Sequence, residues 1–343
     1  MMSSTESGGN QKGLRLNTIH HNSFRETQPT TAHHDGRRLR HYPALLLLLS
    51  ALALTDCGSK KEVAPPAPKK VTPAPEEAVE TTPKFPTFYY NTPAEAFSAL
   101  LKKNHPSAVG IGELHQTEET TDISSALVRF TEDLLPVAAA QTADLVVETW
   151  VSTGACGRVE KQLTKEVDQV TKRPDETENE TLRLIKKAVA LNIKPHVLEM
   201  TCEDYRRIYE ADGGTDYLTL LELVGAHLGQ KATAARAARE KDKASAKPMT
   251  IVYGGALHND AVPAEMWKRV TFGPSLAATV GPKKYLEIDL VVPEFAAATK
   301  VLQNEPWMPT VLSESSTDRT VVIALNDRSY ILVLPKSVHS ASK

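Results

Sequence analysis

The chain has 343 residues, of which 41% are hydrophobic and 24% charged, and this is the composition of a folded protein. Its formal net charge of −2 provides no basic field, which excludes nucleic acid as an expected partner. Three cysteines, Cys57, Cys156 and Cys202, are too few for a disulfide scaffold or a cysteine-rich zinc module.

The first 57 residues are predicted to lie outside the folded domain. Residues 1–36 are polar and show no apolar period, which predicts a disordered leader, or else a true translation start further downstream. In residues 37–57, three arginines precede an apolar run at 43–54. That run has the length of a signal-peptide core and is too short to span a bilayer.

The apolar run is followed by Cys57, and this order resembles a bacterial lipoprotein signal. The resemblance implies that Cys57 is lipidated and becomes the mature N-terminus. Asp56 stands where small residues are usual, and the alternative is a short, uncleaved hydrophobic anchor. Gly58 and Ser59 follow the cysteine in place of an inner-membrane retention aspartate. We therefore expect an outer-membrane-anchored lipoprotein of the bacterial cell envelope.

Residues 58–88 are predicted to be a tether, because proline, alanine, lysine and glutamate dominate them and cannot build a core. The folded domain is predicted to cover 89–343. It starts with a helix, since Thr92, Pro93 and Glu95 form a capping box with proline in the first turn.

Apolar runs then alternate with segments of helical period. The four runs of strand length are 108–112, 144–150, 193–200 and 249–255. This alternation predicts an α/β fold with a mainly parallel sheet flanked by helices. Nearer the C-terminus, the runs at 284–293, 319–325 and 329–335 predict further strands, the last two as a hairpin, joined to the sheet as antiparallel neighbours. The alanine-rich segment 231–247 predicts an exposed helix or a mobile arm.

Polar residues follow each of the four apolar runs. Because the carboxyl ends of parallel strands form the ligand crevice of an open sheet, these residues are expected to share one edge. The candidates, in chain order, are Gly112, Glu113, His115, Glu148, Glu199, Gly255, His258 and Asp260.

The spacing of these residues suits a chemical site. In extended backbone, residues i and i+2 point the same way, so Glu113 and His115 can reach one point. By the same spacing, Asp260 is expected to orient the ring of His258 by accepting its second N–H. Gly112 and Gly255 permit close backbone approach at the strand ends.

Two chemistries fit such a group. Glu113, His115, Glu148 and His258 can bind a divalent metal, or they can act without metal as acid and base on an ester or amide. Each motif alone is typical of a solvated turn, and Glu148 or Glu199 alone of a helix cap. Their recurrence at one sheet edge favours a functional site.

Two further assignments concern the cysteines, whose pairing stays open, and Tyr253, whose expected role is structural. Cys156 and Cys202 follow neighbouring predicted strands and are either a disulfide or two free thiols. Tyr253 is expected to pack in the core, although its position lets it face the crevice.

The motifs resemble the superfamily of the TIKI and TraB proteins, the erythromycin esterases and the ChaN haem-binding lipoproteins. Its marks are paired Gly-x-x-His motifs and a glutamate that ends the second strand. Here they match Gly112 with His115, Glu148, and Gly255 with His258, within about residues 89–295. The form of the first motif, with Glu113, and the lipoprotein signal are closest to ChaN-like members.

The resemblance implies three functions. TIKI-like members are metal-dependent peptidases and the esterases use histidine and glutamate, which implies a hydrolase acting on a peptide or small-molecule substrate. ChaN-like members bind haem, which implies a haem- or iron-binding lipoprotein without catalysis. The third is a tethered interaction module with a vestigial site. The crowding of carboxylates favours hydrolysis, because haem is itself anionic.

Overall fold

The computed structural model describes residues 85–209, 214–241 and 247–337. The expected leader, the signal segment with Cys57 and nearly all of the tether lie outside the described residues. Eight strands occur in the described part of the chain: β1 Thr87–Tyr90, β2 Ala108–Glu113, β3 Thr142–Thr153, β4 Lys194–Thr201, β5 Met249–Gly255, β6 Tyr285–Val291, β7 Thr320–Ala324 and β8 Ser329–Val333.

Ten α-helical segments connect or flank these strands in the same described ranges. They are α1 Pro93–Asn104, α2 Ala126–Arg129, α3 Leu135–Ala138, α4 Arg158–Thr171, α5 Glu176–Ala190, α6 Cys202–Ile208, α7 Tyr217–Lys241, α8 Gly273–Val280, α9 Pro293–Ala298 and α10 Met308–Glu314. A π-helical turn, Phe130–Leu134, joins α2 to α3. Within the described ranges, no helix combines the length and the apolar character needed to cross a membrane.

The first helix begins where the sequence predicts. Thr92 caps α1 by accepting a hydrogen bond from the Glu95 N–H at 3.1 Å, and the Glu95 carboxylate accepts one from the Asn91 N–H at 3.1 Å. The helix ends at His105, which adopts a left-handed conformation with φ 44°. Reciprocal capping of this kind satisfies backbone donors that the first turn leaves free.

All eight strands form one sheet in the order β1-β7-β8-β6-β2-β5-β3-β4. β2, β5, β3 and β4 are parallel neighbours, and β7 pairs antiparallel with β1 and β8. The predicted α/β class, with a mainly parallel sheet and a C-terminal hairpin, is confirmed.

Two details differ from the sequence expectation. β6 was expected to run antiparallel, but it pairs parallel with β2 and with β8, because α8 returns the chain across the sheet as a βαβ connection. β1 starts at Thr87, inside the segment expected to be tether. Phe88 and Tyr89 are about half exposed in this short edge strand, so its apolar pattern is weak.

Each face of the sheet has its own core. On one face, Val109, Ile111 and Ile251 pack with Phe97 of α1 and Phe130. The opposite core contains Val146 and Val252 together with apolar residues of α7. The fold therefore encloses the central strands on both sides, as parallel sheets require.

The alanine-rich segment is helical as far as Lys241 and continues α7 without a break. Ala232 and Ala235 are buried, so this part of the helix packs on the sheet rather than projecting as an arm. At the same end of the helix, Arg239 Nε donates to Asp144 Oδ2 at 2.8 Å, which connects α7 to the start of β3.

Cys156 and Cys202 form a disulfide across 46 residues of sequence. It connects the chain after β3 to the first residue of α6, directly after β4. The parallel pairing of β3 and β4 brings these two positions to one edge of the sheet.

Candidate functional site

A small cavity lies at the carboxyl ends of β2, β3 and β5. Its volume is about 20 Å³, which is room for about one water molecule. The lining combines charged, hydroxyl and apolar side chains: Glu113, His115, Leu127, Val147, Glu148, Arg173, Thr177, Thr181, Tyr253 and Gly254. Three of the four residues expected to be catalytic, Glu113, His115 and Glu148, therefore line one cavity.

Glu113 and His115 form a carboxylate–imidazole pair. His115 Nδ1 lies 2.7 Å from Glu113 Oε1, and because the carboxylate oxygen accepts, Nδ1 donates, so that in the neutral ring Nε2 carries the lone pair. Glu113 is buried, whereas the His115 side chain is 29% exposed. The imidazole is thus anchored to a buried carboxylate while part of its side chain stays exposed.

Tyr253 completes this pair from β5. Its hydroxyl donates to Glu113 Oε2 at 2.5 Å, so both carboxylate oxygens of Glu113 are occupied. Burial, followed by the charge of Glu113, raises the pKa of Tyr253 well above its ordinary value, which keeps the phenol protonated and donating. Tyr253 also packs against Phe130, with ring centroids 4.7 Å apart, so it both fills the core and faces the cavity.

Gly255 lets the imidazole approach the backbone closely. A Cβ atom at this position would lie 2.9 Å from His115 Nε2 and 3.6 Å from Glu148 Oε2. A side chain would therefore displace the ring, which agrees with the predicted need for glycine at this strand end. The same geometry places His115 Nε2 and Glu148 Oε2 near one point beside Gly255.

Glu148 is the second carboxylate of the cavity. Its Oε2 accepts the Gly255 N–H at 2.6 Å, and its Oε1 lies 4.0 Å from both His258 Nε2 and Arg173 Nη2. Burial acts to raise the pKa of Glu148. The two histidines and Arg173 outweigh burial and hold that pKa below its ordinary value, so Glu148 is ionised at neutral pH.

His258 lies beneath the cavity and is 2% exposed. Its Nδ1 is 2.6 Å from the carbonyl oxygen of Val270, which fixes Nδ1 as a donor, and its Nε2 faces Glu148 Oε1. Gly225 of α7 packs directly against that carbonyl, and a Cβ there would collide with Val270.

The expected role of Asp260 as the orienting partner of His258 is wrong. The His258 N–H donates to Gly255 O at 3.0 Å, so the chain turns after β5 instead of remaining extended, and the i, i+2 alternation does not hold. Thr271, rather than a carboxylate, contacts the turn, by donating to the His258 carbonyl at 2.7 Å.

Asp260 belongs instead to a second group of carboxylates, with Glu287 and Asp289 of β6. Glu287 accepts the Ala261 N–H at 2.6 Å, and burial raises its pKa to about 7. Burial and then the charge of Glu287 raise the pKa of Asp289 well above its ordinary value. Sequence analysis missed Glu287 and Asp289 because both are polar residues inside an apolar run.

β2 separates the two groups of carboxylates. Glu113 contacts Tyr253, whose ring lies in the core on one face, whereas a Cβ at Gly112 would collide with Asp289. Alternating residues of one strand thus serve opposite faces of the sheet. Gly112 is required for close approach, as expected, but the group that approaches it is Asp289, on the face of the sheet opposite Glu113.

Glu199, another candidate, lies outside the cavity lining. Its side chain is 59% exposed and pairs with Lys231 of α7 at 2.8 Å. β4 is an edge strand in which Leu198 and Met200 face the core. The intervening Glu199 therefore faces outward.

Arg173, Thr177 and Thr181 line the cavity although no sequence pattern singled them out. Arg173 lies in the loop before α5, and the two threonines are on α5 itself. A loop arginine between two charged helices gives no recognisable signal, because its place depends on how α5 packs over the strand ends.

The donor set suits a divalent metal in chemistry. His115 and His258 each direct Nδ1–H to a carboxylate or carbonyl and keep the Nε2 lone pair free, which is the usual arrangement of metal-binding histidines. Glu148 supplies an ionised oxygen beside them. Within 85–209, 214–241 and 247–337, however, no three His, Cys, Asp or Glu side chains are spaced to hold a metal ion.

Comparison with known proteins gives one structural likeness. No family model matches the chain, and no curated protein matches it significantly. A solved structure of the type III effector HopBA1 aligns with 76% of this chain and 100% of its own, at 12% identity and a TM-score of 0.38. A likeness at this level carries no conclusion about function.

Proposed function

We propose that this protein is a hydrolase of the bacterial cell envelope that cleaves an ester or amide bond, with His115 as its general base. One observation carries the proposal: His115, hydrogen-bonded through Nδ1 to buried Glu113, lines a water-sized cavity together with the ionised Glu148. A carboxylate-oriented imidazole is the arrangement by which proteins activate water or a hydroxyl group.

The reaction follows from these positions. His115 Nε2 accepts a proton from a water molecule in the cavity as the water oxygen attacks the substrate carbonyl carbon. Glu113 holds the ring and stabilises the imidazolium that forms, and Tyr253 holds Glu113. The imidazolium then returns the proton to the leaving oxygen or nitrogen as the bond to the carbonyl carbon breaks.

Glu148 has a separate role in this mechanism. Its carboxylate is fixed by the Gly255 N–H and stays ionised, so it can accept a hydrogen bond from the attacking water and orient it toward His115. His258 Nε2 lies 4.0 Å from Glu148 Oε1, and the charge of His258 is among the causes that lower the pKa of Glu148.

A divalent metal is compatible with the donor types of the same residues, although within the described ranges three of them do not lie close enough together to form a metal site without a shift of their side chains. His115, His258 and Glu148 would hold it, and Glu113 would orient His115 rather than bind the metal, because both of its oxygens are already occupied. Such an ion would polarise the carbonyl and lower the pKa of bound water.

The haem-binding alternative remains a prediction with less support. The cavity has a volume of about 20 Å³, which is far too small to enclose a porphyrin ring. We therefore place hydrolysis first.

The envelope location is part of the proposal. The Cys156–Cys202 disulfide supports it, since such bonds persist in oxidising compartments such as the periplasm. Lipid labelling of the full chain in a bacterial host tests the anchor: label should enter the wild type and be absent from Cys57→Ser. Label in neither protein would refute the lipid anchor and leave the hydrolase proposal intact.

The hydrolase is tested on the purified full chain with a panel of 4-nitrophenyl esters and fluorogenic peptides. We expect turnover that falls at least 100-fold in His115→Ala and in His258→Ala. Metal analysis of the same samples and a haem titration followed by absorbance separate the alternatives. No hydrolysis and no bound metal, together with a haem Soret shift that both histidine variants lose, would replace the hydrolase with a haem-binding protein.

A further inference from the structure

Arg173 places a positively charged group at the cavity without using it for structure. Its Nε is buried and has no hydrogen-bond partner among the described residues. Its closest acidic neighbour in the same ranges is Glu148, whose Oε1 is 4.0 Å from Nη2 and thus beyond hydrogen-bond distance. A guanidinium has five donors in a rigid plane, so this one can bind an additional acceptor.

The loop holds Arg173 at this place. Lys172 adopts a left-handed conformation with φ 46°, and its carbonyl accepts the Glu118 N–H at 2.9 Å, which joins this loop to the segment after β2. Pro174 follows and restricts the backbone of Arg173 to extended conformations. The backbone of Arg173 is therefore constrained from both sides.

Two threonines of α5 line the same cavity. Thr177 and Thr181 lie one helical turn apart, and Thr181 Oγ1 donates its proton to the Thr177 carbonyl at 2.9 Å, which leaves Thr177 as the threonine that can donate to a ligand. An arginine with a hydroxyl group beside it is the combination by which proteins bind carboxylate and phosphate oxygens.

We propose that Arg173, with Thr177, binds an oxyanion group of the substrate, a carboxylate or a phosphate, next to the bond that is cleaved. This inference rests on the proposed hydrolase and specifies its substrate class. Arg173 is then a specificity-determining residue whose contribution appears in KM, whereas a residue acting only on the transition state would alter kcat.

The test compares three 4-nitrophenyl esters of equal acyl length that end in a methyl, a carboxylate or a phosphonate group. With the full chain, we expect one of the two anionic esters, the carboxylate or the phosphonate, to have a KM about tenfold below that of the neutral ester. A difference of this size is the effect of one charge-assisted hydrogen bond. Arg173→Met should abolish this difference and Arg173→Lys should restore part of it. Arg183→Met, which replaces an exposed arginine on α5, the helix that follows Arg173, is the matched control and should retain the difference.

A second measurement does not depend on turnover. The side-chain Nε–H signal of Arg173, assigned by its loss in Arg173→Met, is followed by NMR during titration with inorganic phosphate and with acetate. A saturable shift with either anion supports the oxyanion site even if no ester is cleaved, and in that case only the hydrolase proposal fails. Hydrolysis without anion preference, together with an unmoved Nε–H signal, overturns the oxyanion site and leaves the hydrolase standing.

Discussion

The carboxylate of Glu148 accepts a hydrogen bond from the backbone N–H of Gly255 at 2.6 Å. This contact joins the carboxyl ends of two neighbouring strands, β3 and β5. It also fixes one oxygen of Glu148, so that the other is directed toward His258 and Arg173. The backbone of Gly255 thus sets the orientation of the Glu148 carboxylate, and this orientation does not depend on the substrate.

Replacing this carboxylate by an amide should remove the water-orienting group while preserving shape. We expect Glu148→Gln to lower kcat about 100-fold, because the amide has no charge and only one acceptor oxygen. Glu199→Gln is the matched control, since Glu199 ends the adjacent strand but is 59% exposed and paired with Lys231. Steady-state kinetics of both variants make the comparison. Equal activity in the two would exclude Glu148 from the reaction.

Tyr253→Phe should show whether Glu113 must be held in place. The change deletes one hydroxyl and its 2.5 Å hydrogen bond to Glu113. We expect kcat to fall about tenfold and the free energy of unfolding to fall by about 1–2 kcal/mol, since a buried carboxylate loses a donor. Urea denaturation and kinetics on one preparation measure both. Unchanged kcat in a destabilised protein would assign Tyr253 to packing alone.

Glu287 should make the protein less stable as the pH rises toward neutrality. Burial raises its pKa from an ordinary value of 4.5 to about 7, so the folded state binds a proton that the unfolded state has released between these values. The free energy of unfolding therefore falls across this window, by on the order of 3 kcal/mol. Asp289, with its pKa also raised, contributes with the same sign.

Urea denaturation from pH 4.5 to 7.5 tests this dependence. Glu287→Gln should remove the contribution of Glu287 and leave that of Asp289, whereas Glu199→Gln should retain the whole fall. Glu148, whose pKa is lowered, affects stability with the opposite sign and below its ordinary pKa of 4.5, outside this window. A flat profile in the wild type would mean that Glu287 titrates normally.

Reduction of the disulfide should destabilise the fold while the cavity stays assembled. Cys156 and Cys202 close a loop with a sequence separation of 46, for which the loss is about 2–4 kcal/mol. Urea denaturation measures this loss in the free energy of unfolding. It compares the wild type with the double variant Cys156→Ser, Cys202→Ser, each with and without reductant. Reductant should weaken only the wild type. Equal stability of all samples would show that the bond does not constrain the unfolded chain.

The strands around the cavity are predictable from sequence because each is an apolar run bounded by turn residues. Parallel pairing then brings their ends to one edge, which is why Glu113, His115 and Glu148 meet as expected. The direction of β6 was not predictable, since it depends on α8, a helix of eight residues that begins with glycine and proline.

Other parts of the site depend on backbone turns and distant packing. Alternation holds only in extended chain, so it failed for Asp260, which follows a turn closed by the His258 N–H and the Gly255 carbonyl. Arg173 reaches the cavity because its loop is hydrogen-bonded to Glu118. Neither fact has a local signature in the sequence.

The packing of α7 has a consequence for the proton on His258. Gly225 is a residue of the long helix α7, and it packs against the Val270 carbonyl that accepts a hydrogen bond from His258 Nδ1. Any residue larger than glycine there would shift this acceptor and free the ring to exchange its tautomer. Gly225, which looks like an ordinary packing residue of a helix, therefore determines which nitrogen of His258 carries the proton. A substitution of Gly225 would change the chemistry of His258 rather than the stability of α7 alone.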